Sequence, residues 1–264
     1  MARASCLGPA GSYSELAAKR FLGEDGEVVL CRNFAEAINL CENGETDCAV
    51  LPIENTIQGG VLQNLDLLEK ANVFAVEELV LGIDHRLATL KGVRLEDITK
   101  VYSHEQAIGQ CAAFLREKLP AAQCIFTSST AESISKLDEH SAGIVGSHVQ
   151  AAGVELSAEN IADETKNFTH FFKVVKRGSE RMSGKLLFFC AVCKHEPGSL
   201  VHLLGIFASY GKNMTRIESR PIKNVPGEYR FFIELEGDGS DPVVQEMLEK
   251  ARKYCLQFRI LGNY

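Results

Sequence analysis

The chain has 264 residues, of which 45% are hydrophobic and 24% are charged. This composition is typical of a globular protein and excludes disordered and collagen-like chains. Lys and Arg number 28 against 35 Asp and Glu, so the formal net charge is -7. That balance argues against nucleic acid as a partner, because phosphate binding needs a basic surface.

We expect no membrane partner, because no apolar run approaches the roughly 18–20 residues of a membrane span. The first residues lead directly into a predicted strand and lack the layout of a signal peptide. Nine cysteines are scattered through predicted strands and helices. This usage predicts reduced thiols in a cytoplasmic protein. Cys190 and Cys193 form the one close pair, and packed thiols are favoured over a metal or redox site.

Short apolar runs alternate with amphipathic stretches over residues 1–178. A first strand precedes Gly8, and further strands are predicted at residues 28–31, 48–53, 73–83, 99–102, 124–127 and 143–145. Helices are predicted at residues 15–22, 34–43, 61–71, 107–119, 132–139 and 149–156. This alternation predicts an α/β domain with a mainly parallel sheet. The pattern leaves open whether the domain forms one sheet or two lobes.

A polar stretch at residues 176–185 contains two glycines and no apolar periodicity, which indicates a linker. We therefore expect two domains, at residues 1–178 and 185–264. In the second, strands are predicted at 185–193, 213–222, 229–236 and 255–261, helices at 198–210 and 242–254, and a turn at 224–227. That order is the βαββαβ ferredoxin-like unit.

Three turns rich in hydroxyl groups, at residues 8–15, 103–106 and 129–132, follow predicted strands and open predicted helices. Ser12, Ser103 and Ser129 each precede a Glu or Gln by three positions, which is the spacing of a capping box. One interpretation is three well-capped helices. The other is a shared cleft for an anion, because helix N-termini bind carboxylates and phosphates at the carboxyl ends of strands. No Walker motif is present.

Polar residues also crowd the end of the predicted strand at 48–53, where Glu54, Asn55 and Thr56 follow Pro52 and precede paired glycines. Such groups are costly to bury without partners, which favours a substrate-contacting loop over a simple turn. Thr169 is by itself better explained as a strand residue than as a hydroxyl in an apolar pocket. His170 is either a titratable neighbour of Thr169 or a surface histidine on the opposite face of a strand.

Taken together, these segments resemble the prephenate dehydratase family over essentially the whole chain. Its pattern Gly-Pro-x-Gly-Ser/Thr-Phe/Tyr-Ser occurs at residues 8–14, and Pro-Ile-Glu-Asn-Ser/Thr occurs at 52–56 with Gly60 behind it. Its Ser-His-Pro-Gln occurs at 103–106 with Glu105 in place of proline, and its Thr-Arg-Phe at 169–171 with His170 in place of arginine. The C-terminal unit resembles an ACT regulatory domain, whose Gly-Ala-Leu and Glu-Ser-Arg-Pro occur here as residues 198–200, with Ser199 replacing alanine, and 218–221.

The resemblance implies a two-lobed catalytic domain like type II periplasmic binding proteins, with the active site between the lobes. It implies decarboxylating dehydration of prephenate to phenylpyruvate in L-phenylalanine biosynthesis, with no metal and no organic cofactor. Feedback by L-phenylalanine and a homodimer or homotetramer are also implied.

The resemblance carries site residues onto this chain. The catalytic residues are Thr169, as hydrogen-bond donor to the leaving hydroxyl, with Glu54, Asn55 and Thr56. The substrate-binding residues are Gly11, Ser12, Ser103, Gln106, Ser129, Thr130, His170 and Phe171. The effector-binding residues are Gly198, Ser199, Leu200, Asn213, Glu218, Ser219 and Arg220.

His170 is the main departure from the family pattern. Arginine offers a permanent charge and a two-pronged contact to a carboxylate, which histidine does not. If His170 contacts substrate, affinity should rise as the pH falls through the histidine range. The alternative functions are an arogenate dehydratase, a non-aromatising prephenate decarboxylase, or a non-catalytic amino-acid-sensing protein. Retention of Thr169 argues against the non-aromatising enzyme, which has no need of a donor to a leaving group.

Overall fold

The computed structural model describes residues 1–178, 182–223, 225 and 227–264. Part of the predicted linker, at residues 179–181, lies outside the described residues. So do positions 224 and 226 of the predicted turn.

Strands and helices alternate along the N-terminal part, residues 1–178, as the sequence predicts. Its strands are β1 (Arg3–Leu7), β2 (Glu27–Cys31), β3 (Cys48–Asn55), β4 (Gly59–Gly60), β5 (Val73–Gly82), β6 (Arg86–Leu90), β7 (Lys100–Ser103), β8 (Gln123–Phe126), β9 (Ser141–Val145), β10 (Val154–Leu156) and β11 (Phe168–Lys176). Its α-helices are α1 (Tyr13–Leu22), α2 (Phe34–Asn43), α3 (Leu62–Lys70), α4 (Glu105–Gln110) and α5 (Ala112–Lys118), and its 3-10 helices are Leu95–Asp97 and Ala131–Lys136.

The C-terminal part, residues 182–264, follows the predicted βαββαβ order. Its elements are β12 (Leu186–Cys193), α6 (Ser199–Ser209), β13 (Met214–Pro221), β14 (Tyr229–Glu236), α7 (Pro242–Lys253) and β15 (Cys255–Asn263). The strands lie in the order β13-β14-β12-β15 with antiparallel neighbours, which is the ferredoxin-like arrangement.

Two sheets organise the N-terminal part. The first has the order β5-β11-β3-β1-β2, and the second has the order β10-β6-β9-β7-β8. The chain leaves the first sheet after β5 and returns to it with β11. The expectation of a mainly parallel sheet is wrong, because β11 runs antiparallel to both β3 and β5, and β6 runs antiparallel to β9.

Several predicted elements differ locally. Residues 149–156 do not form a helix: Gly153 has a φ of 75°, and β10 pairs with β6. The helix predicted at 107–119 is divided at Cys111 into α4 and α5, and that predicted at 132–139 is the 3-10 helix Ala131–Lys136. Strands β6 and β11 were absent from the predicted elements. Each of these outcomes depends on a distant partner strand or on a local break that apolar spacing does not report.

The two parts of the chain share one sheet and one core. Residue Gly262 of β15 pairs in parallel with Ala75 of β5, which joins the two sets of strands. The shared core contains Phe172 from the N-terminal part and Phe188 and Phe232 from the C-terminal part, all fully buried. The rings of Phe172 and Phe188 meet edge to face at 5.4 Å between centroids.

Around this core, arginines of the C-terminal part hold helix α3. Arg220 Nη2 lies 2.6 Å from Asp66 Oδ2, and Arg230 Nη2 lies 3.2 Å from Glu69 Oε1. Arg259 donates to the carbonyl of Ala71 at 2.5 Å, directly after the helix ends. Cations at a helix C-terminus are favoured by the helix dipole. Helix α3 follows the polar strand end at residues 54–60, so this contact anchors the region that the sequence marks as functional.

All nine cysteines have free thiols. Within the described residues, no helix has the length and apolar character to cross a membrane, and no group of three or more His, Cys, Asp or Glu side chains is placed to hold a metal ion.

Candidate active site

The neighbouring ends of β3 and β11 carry the residues singled out by the sequence. In this antiparallel pair Asn55 lies opposite Thr169, and Glu54 lies opposite His170. Successive side chains of a strand point to opposite faces. Asn55 and Thr169 therefore share one face of the sheet, and Glu54 and His170 share the other.

The amide of Asn55 has a defined orientation. Its Oδ1 accepts hydrogen bonds from the backbone N–H groups of Ile57 at 3.0 Å and Gln58 at 3.1 Å. Its Nδ2 therefore faces the other way and donates to Thr169 Oγ1 at 2.9 Å and to Asn167 Oδ1 at 2.7 Å. Because Asn55 is the donor, the Thr169 oxygen accepts and its own proton remains to be donated. No described residue accepts that proton, although the Thr169 side chain is buried.

The hydrogen-bond network extends from Asn55 to the second sheet through residues that sequence reasoning missed. Asn167 Nδ2 donates to Gln110 Oε1 at 3.2 Å, and that oxygen lies 2.7 Å from His85 Nε2. An amide oxygen only accepts, so His85 carries its proton on Nε2. Burial lowers the pKa of His85, which favours the neutral ring. Gln110 lies one helical turn after Gln106, so the i, i+4 spacing on α4 was a usable signal for it.

Two predicted turns meet across the cleft between the sheets. A Cβ built on Gly11 would lie 3.5 Å from the Cβ of Ala131, which follows Ser129 and Thr130. A ring nitrogen of His148, which follows β9 of the second sheet, is also 3.0 Å from the carbonyl of Gly11. The turns at Gly11 and at 129–131 therefore face each other. A cavity of about 290 Å³ is lined by Tyr13 and Arg20 of α1 and by Ser147 and His148, which follow β9, with Asn167 and Phe168 beside them.

The helix caps follow the predictions at two of the three turns. Ser12 Oγ accepts from the N–H of Glu15 at 3.2 Å, and Ser129 Oγ accepts from the N–H of Glu132 at 3.1 Å. The third expectation is wrong, because the fully buried Ser103 donates to the carbonyl of Ile144 at 2.7 Å. His104 caps α4 instead, through its ring and the N–H of the exposed Gln106.

Two further predicted residues have structural roles at β3 and β11. Thr56 Oγ1 accepts from the N–H of Phe168 at 2.9 Å, and its own N–H donates to the Phe168 carbonyl at 2.9 Å. Phe171 is 2% exposed and packs beneath α1 with Ala17 and Leu81, so it belongs to the core and does not line the cleft.

His170 points away from Thr169 and toward the C-terminal part. Its Nδ1 lies 2.8 Å from Glu78 Oε1, and this hydrogen bond raises the pKa of His170. On the same face, Glu54 Oε2 accepts from Arg216 Nε at 2.6 Å. The expected contact between His170 and a substrate carboxylate is therefore not supported by its position, because β-strand alternation places Thr169 on the other face.

The predicted effector residues fall into two groups. Gly198 caps α6 with a φ of 83°, and Ser199 and Leu200 line a cavity of about 160 Å³ beside Tyr229. By contrast, β13 turns Glu218 and Arg220 toward the N-terminal part. Ser219 lies between them on the exposed side, and Asn213 contributes its carbonyl to the N–H of Glu236. The cavity at α6 includes none of these β13 residues.

Known proteins resemble this chain in sequence and in fold. The sequence model of the family "Prephenate dehydratase" matches residues 4–179. A protein from Aquifex aeolicus named bifunctional chorismate mutase/prephenate dehydratase is 35% identical over 98% of this chain and 72% of its own length. The structure of a prephenate dehydratase from Arthrobacter aurescens in complex with L-Phe has 31% identity and a TM-score of 0.89, covering 99% of this chain and 90% of that one.

A third structure carries a different description. GqqA, described as a novel type of quorum quenching acylase, has 25% identity and a TM-score of 0.86, covering 98% of this chain and 96% of its own. The family match covers two thirds of this chain and includes both strand ends that meet at Asn55 and Thr169. This chain belongs to the prephenate dehydratase family of hydro-lyases.

Proposed function

We propose that this protein converts prephenate to phenylpyruvate, with Thr169 as the hydrogen-bond donor to the departing ring hydroxyl. The observation that carries the proposal is the fixed Asn55 amide, which donates to Thr169 and leaves the threonine proton free for a ligand. The membership of the chain in the family supports the reaction, and the bond directions support the role of Thr169.

In this reaction the carbon–carbon bond to the ring carboxylate breaks and CO2 leaves. The electron pair enters the ring, and the ring carbon–oxygen bond breaks, so the ring becomes aromatic. Thr169 stabilises the departing hydroxide by donating a hydrogen bond and keeps its own proton, while the proton that completes the leaving water molecule comes from solvent. A threonine hydroxyl is a weak acid, so its contribution depends on a fixed position close to the leaving oxygen.

We propose that the two carboxylates of prephenate are held by the turns that face each other across the cleft. Ser129, Thr130 and Gln106 contribute from the side of the second sheet. Gly11 and Ser12 line the opposite side, where the N–H of Gly11 donates to Glu15 Oε2 at 2.5 Å and Ser12 Oγ donates to the carbonyl of Leu7 at 3.3 Å, so substrate has to displace these bonds to use their donors. Backbone N–H groups and hydroxyls aimed at an anion stabilise it without reorganisation during the reaction. Ser103 supports this wall from within through its bond to Ile144. Thr56 supports the substrate loop through Phe168.

We further propose that residues 1–178 form a two-lobed catalytic domain like type II periplasmic binding proteins and that residues 185–264 form an ACT domain. The two sheets, joined by the crossings after β5 and before β11, support the first assignment. The antiparallel order β13-β14-β12-β15 supports the second. Nine unpaired thiols suit a reducing compartment such as the cytoplasm.

L-Phenylalanine is the proposed effector, since the Arthrobacter aurescens relative was crystallised with it. The start of α6, at Gly198, Ser199 and Leu200, is the proposed subsite for its carboxylate. We propose that Glu218 and Arg220, on β13, also contribute to effector binding. We also propose that the chain pairs through its C-terminal part as a homodimer or homotetramer. Sedimentation should show an oligomer; a monomer both with and without phenylalanine would contradict this pairing.

The experiment follows phenylpyruvate formation from prephenate at neutral pH, with and without phenylalanine. The wild-type protein should turn over, and phenylalanine should slow it. Thr169→Val, which has nearly the same shape, should lower kcat by about 100-fold or more, whereas Thr169→Ser should retain most activity. Equal kcat values for the valine and serine variants would contradict the role of the hydroxyl.

The same protein is then given arogenate and an acylated quorum-sensing signal. Turnover of arogenate in preference to prephenate would reassign the substrate, and hydrolysis of the acylated compound alone would align the protein with the acylase. Phenylalanine binding without turnover of any of these would identify an amino-acid sensor.

A further inference from the structure

One arginine of the C-terminal part reaches the strand end that carries Asn55. Arg216 lies on β13, and its side chain is 10% exposed. It is surrounded by three carboxylates, with its nitrogens 2.6 Å from Glu54, 3.3 Å from Glu234 and 3.7 Å from Glu78. The guanidinium also lies 5.7 Å from the centre of the Phe172 ring. Such a cluster is stable only while the cation is present, because one charge compensates several of the opposite sign.

The three carboxylates depend on Arg216 to different degrees. Glu234 also accepts from Thr215 Oγ1 at 2.6 Å and from the hydroxyl of Tyr264. Glu78 also contacts His170 at 2.8 Å. The Glu54 carboxylate has no other hydrogen-bond or ion-pair partner among the described residues. Loss of the guanidinium would therefore leave Glu54 as the one unsupported carboxylate beside two like charges.

Glu54 immediately precedes Asn55, the residue that orients the Thr169 hydroxyl. Strand β13 contacts the same loop a second time, because a Cβ built on Gly60 would lie 3.4 Å from Glu218 Oε2. The residues Gly60 and Glu54 are themselves paired between β4 and β3. Strand β13 is therefore bonded to the loop at Glu54, through Arg216, and lies close to it at Gly60, through Glu218.

We propose that Arg216 is a positioning residue for the active site: it holds Glu54 and thereby fixes the strand end that presents Asn55 to Thr169. Arg216 touches neither the cleft face nor Thr169. It acts from the opposite face of the sheet, and it makes the geometry of the catalytic strand end dependent on the position of β13. The inference rests on the proposed function for its activity readout.

The test is a double-mutant cycle of Arg216→Met and Glu54→Gln, measured as kcat and KM for phenylpyruvate formation from prephenate. Methionine keeps an apolar contact above Phe172 and removes the charge. We expect R216M to lower kcat between about 10- and 100-fold, since small displacements of reacting groups have effects of that size. KM should change less than about threefold, and R216M should have no further effect in the E54Q background. Independent, multiplicative losses, or a change confined to KM, would overturn the proposal.

Arg230→Met is the matched control. It removes another arginine of the same contact between the parts, but its partner Glu69 lies on α3 and not at the strand end. We expect its kcat to stay within about threefold of wild type. A loss equal to that of R216M would show that the contact in general matters, and would overturn a specific role for Arg216.

If R216M does not fold, Arg216→Lys replaces it, because lysine keeps the charge but cannot present the forked donors. We expect the R216K single variant to have a kcat between those of wild type and R216M. In the E54Q background, R216K should leave kcat unchanged. An R216K enzyme indistinguishable from wild type, or one equally impaired in both backgrounds, would overturn the proposal.

If the wild-type protein does not turn over prephenate, the proposed function fails on its own. The same cycle is then measured by urea unfolding. A coupling of about tenfold or more in the unfolding equilibrium constant retains the Arg216–Glu54 link, and a coupling near unity overturns it.

Discussion

Asn55 Nδ2 lies 2.9 Å from Thr169 Oγ1, and the two backbone N–H groups bound to Asn55 Oδ1 prevent the amide from turning over. Replacing Asn55 by Asp keeps the acceptor and removes the donor. The Thr169 hydroxyl would then donate its hydrogen bond to the new carboxylate. It could no longer donate that hydrogen bond to the leaving group. We expect Asn55→Asp to lower kcat by about 100-fold or more, with a smaller change in KM.

The matched control is Asn33→Asp at the start of α2. Asn33 Oδ1 accepts from the N–H of Glu36 at 2.9 Å, a role that aspartate fills equally well. Its kcat for phenylpyruvate formation should equal that of wild type. A kcat for Asn55→Asp within about threefold of this control would refute the assigned bond direction.

His170 should make stability depend on pH. Its pKa is raised above the ordinary value of 6.5 by the hydrogen bond to Glu78, so the folded state binds the proton more tightly than the unfolded chain. The stabilisation is fully present below about pH 6.5 and is lost as the pH rises through the folded-state pKa. We expect His170→Asn to lower the free energy of unfolding by about 1 kcal/mol at pH 6 and by much less at pH 9.

Urea unfolding at the two pH values measures this difference. His140→Asn is the control, because that ring is exposed, and its nearest carboxylate oxygen lies 3.9 Å away. His170→Arg should keep its charge, and hence its pair with Glu78, at both pH values. A deficit of equal size at pH 6 and pH 9 for His170→Asn would contradict the charged pair.

The contact of Gly262 with Ala75 leaves no room for a side chain. A Cβ on Gly262 would lie 2.6 Å from the Cβ and 2.9 Å from the carbonyl oxygen of Ala75, so the backbone itself must move. We expect Gly262→Ala to lower the free energy of unfolding by about 1–3 kcal/mol in urea titrations. Gly109→Ala on α4, where nothing lies within 4 Å, should instead raise it by about 0.5–1 kcal/mol. Equal stability of the two variants would contradict the close pairing.

The shared core predicts that the two parts unfold together. Phe188 of the C-terminal part is fully buried against residues of the N-terminal part. We expect calorimetry to give one transition, with equal calorimetric and van't Hoff enthalpies. Phe188→Ala should shift the whole transition and lower the free energy of unfolding by about 3–5 kcal/mol. Two transitions, of which the substitution moves one, would show separate cores.

Local signals made much of the fold predictable. Helix α2 was predicted with its observed bounds from its amphipathic pattern, and the structure shows that Asn33 caps it and Gly44 ends it. The ferredoxin-like order of the C-terminal part followed in the same way from strands and helices of ordinary length. Strand β10 was predicted as helix because its extended form depends on pairing with β6, 64 residues earlier at the partners Val154 and Leu90.

The candidate site was predictable to the extent that its residues crowd strand ends. Asn55 was found in this way, because polar groups crowd the end of β3. Thr169 was identified only through the resemblance to the family motif, because β11 was not among the predicted strands. Asn167 was missed because its partner Asn55 is 112 positions away. Arg216 was missed for the same reason, because its link to Glu54 spans 162 positions. An arginine in a strand of alternating exposed and half-buried residues gives no sequence signal for the loop that it contacts in the fold.

The arginines that hold α3 set a condition on exchanging parts between relatives. Arg220 and Arg230 match Asp66 and Glu69 one to one across the contact. A chimera that takes its C-terminal part from another protein would inherit the fold of both halves but not this matched set of charges. Asp66 and Glu69 of α3 would then face the foreign C-terminal part without partners. Arg220 and Arg230 therefore have to be exchanged or mutated together with these two acids.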